Sequence, residues 1–479
     1  MGNPLAGPVP DRIVKLGNRI RRESGHAVAR LRGLIGGEPG PGGVPFVGRG
    51  PLVGRKPLLG GEPFFGSRFG LKLGLVLAGV AMLGSAVWSL STGGPAFRVG
   101  AGGTVTASDP DAPVVPTRLV QTIPPAFVYP GRLNLDWPSS GTAAIEVEGM
   151  GLLGSSGGMT SQHSIASITK TLTAYVVLKD HPLTATSSGP TITVNDAMAA
   201  TYAVDVKQGE SVVAVEPGEQ ITERQALEAM LLASAGDMAD ILAMWDKGSI
   251  DAFLTEMNQQ ARAIGMTDST FTDPTGLASS TVSTMSDLLT LAEAVQGVPA
   301  ILSIVAQDSA EVPVAGTVYN VNRDLGTDGI DGIKTGTTAA AGSCLLFSAH
   351  LQVGGSSLTI LGVVLGMPGS SGVPYTALNA VRDLVASAQT QIGETTVAAP
   401  GTQVAALEKG RGKVAGLGVA GSLAVVGWPG LSYQVMVTGT VSAATLQVTR
   451  MGGSSASVST ALRKLAAPAP VTRKPTRAR

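Results

Sequence analysis

Twenty-five consecutive residues, Leu73 to Phe97, carry no charge. The apolar heart of this window, LGLVLAGVAMLGSAVWSL, has eighteen residues. As a helix rising about 1.5 Å per residue it reaches roughly 27 Å, close to the hydrocarbon thickness of a bilayer. The run therefore predicts a single transmembrane helix over 73–93, and it divides everything else into two compartments. Residues 1–72 hold twelve Lys/Arg against four Asp/Glu. The positive-inside rule then expects 1–72 in the cytoplasm and all that follows Arg98 outside, with Trp88 at the outer interface. A cleaved signal peptide is the competing reading, but the long leader before the apolar run favours a retained anchor in the cell membrane.

The rest must fold outside that segment. A chain of 479 residues exceeds one compact domain, and a hydrophobic share of 44% excludes global disorder. Net charge is zero but unevenly spread. The end, Ala461 to Arg479, has six basic residues and no acid, which leaves sixteen basic against thirty acidic residues between the two basic ends. An acidic main body argues against a nucleic-acid partner. The one cysteine, Cys344, forms no intramolecular disulfide and says nothing about compartment. The four histidines lack ligand spacing and neither CxxC nor HExxH occurs, so no metal and no cofactor is expected.

Patterning gives the organisation. Residues 1–72 read as a basic tail, with a Gly/Pro-rich disordered stretch GGEPGPGGVPFVGRGP and a segment, DRIVKLGNRIRRESGHAVARLRGLI, that is either an interfacial helix or a solvated arm. Residues 94–132 read as an extracytoplasmic spacer. Folded character is expected from Leu133. TAAIEVEG alternates as a strand, and SITKTLTAYVVLK has helical spacing at Ile168, Leu172, Tyr175 and Val176. TERQALEAMLLAS opens on a capping box, Thr222 with Gln225, and DAFLTEMNQQARAIG stops at Gly265. SCLLFSAHLQV and SSLTILGVVLGM predict a hairpin across Gly354-Gly355, and YTALNAVRDLVASA returns to helix. Helices set between an early strand and late hairpins predict an α+β fold with an antiparallel sheet over 133–392. A small β-rich domain is expected at 396–450 and a basic disordered tail at 451–479.

The chemistry begins with Ser167 and Lys170, three residues apart and, where one helix includes both, on one face. A serine hydroxyl is a weak nucleophile near neutral pH and needs a base. A lysine serves if burial or a second cation lowers its pKa. Ser-x-x-Lys alone does not distinguish this from a helix start with an exposed lysine. A second group is Lys334-Thr335-Gly336-Thr337, opening the β-rich run. On an edge strand it offers an ammonium, two hydroxyls and an approachable backbone to an anionic, peptide-like ligand, and the Thr337 N–H to an oxyanion. Between the two groups lies Ser234, at a break between helices, where a hydroxyl can pass a proton to a leaving amine.

Ser-x-x-Lys, a serine tripeptide and Lys-Thr-Gly, in that order, are shared by class A β-lactamases and penicillin-binding proteins. SIASITKTLTAYVVLKDHPL, MNQQARAIGMTDSTFTDPTGL, STMSDLLTLAEA and YNVNRDLGTDGIDGIKTGTTAAAGSCLLFSA resemble the D-alanyl-D-alanine carboxypeptidase family of serine peptidases, most closely its actinobacterial members. The resemblance covers roughly 133–392. It implies a β-lactamase/transpeptidase-like fold and a peptidoglycan stem peptide ending in D-Ala-D-Ala as substrate, with β-lactam antibiotics as inhibitors. It further implies Ser167 as nucleophile, Lys170 as its base and Ser234 as proton relay. Lys334, Thr335 and Thr337 would hold the substrate carboxylate beside Gly336, and the N–H groups of Ser167 and Thr337 would form an oxyanion hole. Lys334, as a second cation, is expected to depress Lys170. Asn322 matches a supporting asparagine of the family, and Cys344 a buried core position.

One position departs from the pattern. The family's Ser-x-Asn reads Ser234-Ala235-Gly236 here. The missing amide would bond both the base and the substrate's peptide carbonyl. Asp237 or a water are the candidates for its space. The departure leaves a second reading beside the carboxypeptidase, a catalytically weak protein that binds stem peptides. A β-lactamase is disfavoured, because no Glu-x-x-Leu-Asn run supplies the deacylating glutamate.

Overall fold

Alternation along one strand sets the layers. In Gly342–Val353, Cys344 and Leu346 enter the core of the helical side, whereas Leu345 and Phe347 enter the core under the helix Tyr375–Gln391. Successive side chains leave a strand on opposite faces, so a sheet covered on both sides reads as a continuous apolar run. The computed structural model describes residues 116–369, 375–453 and 456–466. Its central sheet is five-stranded and antiparallel. The strands lie in the order Ile330–Thr338, Gly342–Val353, Ser356–Met367, Thr142–Val147 and Gly151–Ser156. The strand carrying Lys334 is therefore an edge strand. The hairpin turn is at Gly354-Gly355, both at positive φ (+56° and +80°), the geometry that favours a two-residue connection.

The helix Thr169–Asp180 runs through the middle of the helical side and is buried from Thr169 to Leu178 apart from a half-buried Tyr175. Apart from Lys170 and the exposed Lys179 and Asp180 at its end, its residues are apolar, tyrosine or threonine, so its first three turns need no water. This is why Lys170, one residue into the helix, is buried rather than solvated. Glu223–Leu232, Gly236–Lys247 and Ile250–Ile264 pack around it. Two of their ends are those the sequence predicts. Thr222 accepts from the Gln225 N–H at 3.2 Å and the Gln225 side chain accepts from the Thr222 N–H at 3.1 Å. Gly265 takes the left-handed conformation that closes its helix. The α+β reading with an antiparallel sheet holds.

Two boundaries differ from expectation. A second sheet of seven strands contains most of the β-rich region, and its two edges come from residues expected to be spacer. Thr117–Gln121 pairs with Gln403–Lys409, and Ala126–Val128 pairs with Ser432–Gly439. Ser457–Lys464, expected in the tail, lies between Gly412–Val419 and Ala444–Arg450. The physical reason is edge satisfaction: unpaired strand edges take up whatever extended, Val/Thr-rich chain lies within reach. Gln121 clamps the join, donating to the Val435 carbonyl at 3.1 Å and accepting from the Val437 N–H at 2.9 Å. The described residues fall within one compact unit. The basic segment 1–72, the apolar run 73–93 and the end of the chain beyond 466 lie outside the described residues. Among the described residues no single helix is long and apolar enough to cross a membrane.

Candidate active site

Ser167 sits in a single 3₁₀ turn, Ala166–Ile168, that leads directly into the buried helix. Ala166 takes φ +48°, an uncommon conformation for a residue with a Cβ, and it sets the tight entry of the nucleophile. The first turn of the helix aims Lys170 back at Ser167: Lys170 Nζ donates to Ser167 Oγ at 3.1 Å and to the Thr275 carbonyl at 2.9 Å. Thr275 belongs to the segment FTDPTGL, and that segment holds itself. Asp273 Oδ2 accepts from the Leu277 N–H at 2.7 Å and the Ala278 N–H at 3.2 Å, while Thr281 bonds Asp273 Oδ1. Thr173, one helical turn beyond Thr169, donates to the Pro274 carbonyl at 2.7 Å. The segment is thus a rigid turn that presents one carbonyl to the lysine.

The edge strand Ile330–Thr338 closes the other side. Gly336 lies against the nucleophile turn so tightly that an added Cβ would stand 3.0 Å from Ser167 N, Ile165 O and Ala166 Cβ. Only glycine lets the strand approach this closely. Lys334 is 2% exposed and donates to the Thr335 carbonyl at 3.0 Å. Thr335 is also buried, and Thr337 Oγ1 is a buried hydroxyl with no hydrogen-bond partner in the protein. A polar atom in that position is available to a ligand. Ser234 is buried at φ +62° between Glu223–Leu232 and Gly236–Lys247, the helix break that the sequence predicts. Asn322 is buried in the turn leading to the strand, where its side-chain Oδ1 accepts from the Asp324 N–H at 3.1 Å.

Burial governs the electrostatics of the two lysines. Burial holds Lys170 below the usual lysine range, and the carboxylates of Glu210, Asp273, Asp240 and Asp237 oppose it. Lys334 is the group pushed well down, by burial first and by Lys170 next. Around the pair the acids rise. Burial lifts Asp240 to about 8, Asp237 to about 7 and Asp205 to about 6, each with help from neighbouring carboxylates.

The structure also decides what stands in the space of the missing amide. Asp237 does not reach the lysine, because its Oδ1 accepts from the Val213 N–H at 3.2 Å. The space belongs to Glu210, whose carboxylate lies where a Cβ on Gly236 would be. Glu210 Oε2 is 3.8 Å from Lys170 Nζ and its Oε1 accepts from the Thr275 hydroxyl at 2.9 Å. Sequence reasoning missed Glu210 and Thr275. Glu210 follows the helix Asp196–Gln208 as a lone acid after Gly209, and nothing in its spacing marks it. Thr275 lay within a quoted block, but its contribution is a carbonyl, which every residue type carries. Cys344 is fully buried with its thiol pushed up to about 11, as a core position requires.

A serine hydroxyl, a buried lysine 3.1 Å away and a Lys-Thr-Gly edge strand are the groups that serine acyl transfer calls for. A D-alanyl-D-alanine carboxypeptidase family model matches residues 152–368. The chain is 32% identical over 208 residues to the D-alanyl-D-alanine carboxypeptidase DacC of Escherichia coli, covering 42% of this chain and 50% of that one. It is 31% identical over 220 residues to DacB2 of Mycobacterium tuberculosis, covering 44% of this chain and 70% of that one. The chain belongs to the D-alanyl-D-alanine carboxypeptidase family. It spans half or less of the length of the first curated relatives it matches. Among solved structures it is similar to the Streptomyces K15 DD-transpeptidase, at 23% identity and a TM-score of 0.46, over 53% of this chain and 98% of that one.

Proposed function

We propose that this chain is a membrane-anchored serine carboxypeptidase that removes the terminal D-alanine from peptidoglycan stem peptides. The observation that carries the reading is the 3.1 Å approach of Lys170 Nζ to Ser167 Oγ in a buried site walled by the Lys334 strand. In the free-base form Lys170 takes the Ser167 proton while Oγ bonds to the carbonyl carbon between the two D-alanines. The C–N bond breaks, and the departing amine gains its proton through Ser234. Water then attacks the ester, again with Lys170 as base, releasing the shortened peptide and restoring Ser167. The N–H groups of Ser167 and Thr337 receive the oxyanion in both steps.

The terminal carboxylate of the substrate goes to Lys334, Thr335 and Thr337 beside Gly336. Burial opposes the charge on Lys334, and an incoming carboxylate favours it, so substrate and proton bind together. A β-lactam acylates Ser167 by the same first step. Anchorage belongs to the same reading: the charge-free run at 73–93 with its basic N-terminal flank supports a single-pass helix and an extracytoplasmic catalytic region.

Gly236 favours a second reading, a protein that binds stem peptides but turns them over weakly. Fluorescent penicillin labelling, run beside D-alanine release from a pentapeptide, separates the two. Labelling that survives Ser167→Ala removes Ser167 from its role. Labelling without D-alanine release leaves the binding protein.

A further inference from the structure

In the Ser-x-Asn pattern one side chain supports the catalytic lysine from the residue at 236. Here that residue has no side chain, yet the lysine is not left alone. Glu210 enters from the loop after Asp196–Gln208 and places its carboxylate over the Cα of Gly236. One of its oxygens is 3.8 Å from Lys170 Nζ, and the other shares the Thr275 hydroxyl with Asp273 Oδ2, at 2.9 and 2.8 Å. Thr275 in turn gives its carbonyl to the same ammonium. The loop that brings Glu210 is fixed to the helix it faces, since the Gly236 N–H donates to the Ser211 carbonyl at 2.7 Å and Asp237 accepts from Val213. The carboxylate is 7% exposed, so it is built into the site rather than lying over it.

We infer that Glu210 is the positioning residue for Lys170, occupying the place of the absent asparagine, and that Gly236 is the condition for its being there. The inference rests on the acyl-transfer reading of Ser167. A side chain at 236 would displace the Glu210 carboxylate from this place: a Cβ on Gly236 meets the carboxylate, which would have to swing away, and stands in ordinary contact, 3.5 Å, with Glu210 Cβ. The exchange is not neutral in chemistry. A carboxylate supplies an oxygen to the lysine, as an amide does, but adds a full charge and offers no N–H to a substrate carbonyl. The charge favours the ammonium form of Lys170, against burial. Facing Lys170 with it are Asp273 from the turn, Asp237 and Asp240 from the following helix, Asp205 from the preceding helix, and Lys334 from the strand.

The test is a double-mutant cycle on the full-length protein in detergent, read as the acylation rate by fluorescent penicillin, with melting temperature measured on every variant. Glu210→Ala should slow acylation about tenfold in the natural background. In the Gly236→Asn background the same change should speed acylation about tenfold, because it frees the place that the new amide needs. Glu210→Gln keeps shape without charge. It should fold as the natural protein does and move the acid limb of the acylation profile to lower pH, because the group that favours the ammonium is gone. Glu210→Ala acting with the same sign in both backgrounds overturns the inference. So does an acid limb that stays in place in Glu210→Gln. If the natural protein is not labelled at all, or Ser167→Ala is labelled, the functional reading itself has failed rather than this one.

Discussion

Gly336 of the edge strand rests on the backbone of Ser167, with room for no atom between them: a Cβ there would be 3.0 Å from Ser167 N. The contact places the Lys334–Thr337 strand and Ser167 in one rigid unit, and under the proposed function it fixes the spacing between the two ends of a bound substrate. Gly336→Ala forces the strand and the turn apart by a few tenths of an ångström. Overpacking of this kind costs about 1–3 kcal/mol of stability. A misplacement near the reacting atoms costs more in rate, on the order of 100-fold. Penicillin acylation should therefore fall far more than the melting temperature does. Equal and small changes in both would mean that the strand is free to move.

Lys334 is buried where its charge is disfavoured, a cost that the proposed binding of a substrate carboxylate would explain. Its pKa in the folded state is lowered below the usual value, so the unfolded chain binds more protons between the two values. Stability then rises with pH across that window and reaches its full value as pH approaches the ordinary lysine pKa. Lys334→Met, of similar volume, removes the penalty. It should raise the melting temperature at pH 7, with a gain that shrinks as pH is raised toward the lysine range, while penicillin labelling is lost. A gain that is constant with pH, or a loss at pH 7, would show that the ammonium is paired.

The sequence carried the site's three motifs because each is a short contiguous run: Ser167 with Lys170 in one helical turn, Ser234 at a helix break, and Lys334 to Thr337 on one strand. The sheet was legible for the same reason, since Cys344 to Phe347 and Ile360 to Leu365 are local patterns. What was not legible depends on distance along the chain. Glu210 reaches Lys170 from forty residues away and Thr275 from 105, and neither approach leaves a mark in local spacing. Thr117–Gln121 pairs with residues nearly three hundred positions later, and a short Val/Thr segment looks the same in a spacer as in a strand.

Asp273 organises the turn that gives Thr275 to the lysine, accepting from two backbone N–H groups and from Thr281. Hydrogen bonds to a charged acceptor contribute about 1.5–3 kcal/mol each. Asp273→Ala leaves the N–H groups of Leu277 and Ala278 without their acceptor and releases the Thr275 carbonyl from its place. Stability and acylation rate should fall together, the melting temperature by several degrees and the rate by at least about tenfold. A normal rate in a destabilised protein would mean that Thr275 is held by Thr173 and the neighbouring helix alone.

The strand Ala126–Val128 tests the revised boundary. Phe127 packs on Tyr433 with ring centroids 6.0 Å apart, and both belong with Val435, Leu446 and Val448 in the core of the second sheet. Full burial of a phenylalanine is worth about 3–5 kcal/mol against alanine, and Phe127 is half-buried, so Phe127→Ala should cost about 2 kcal/mol. A spacer residue would cost nothing. The loss should appear in the melting of the compact unit and should leave penicillin acylation of the folded protein unchanged, because Phe127 belongs to a different core cluster from the buried helix of Lys170. An unchanged melting temperature would return residues 117–128 to the spacer.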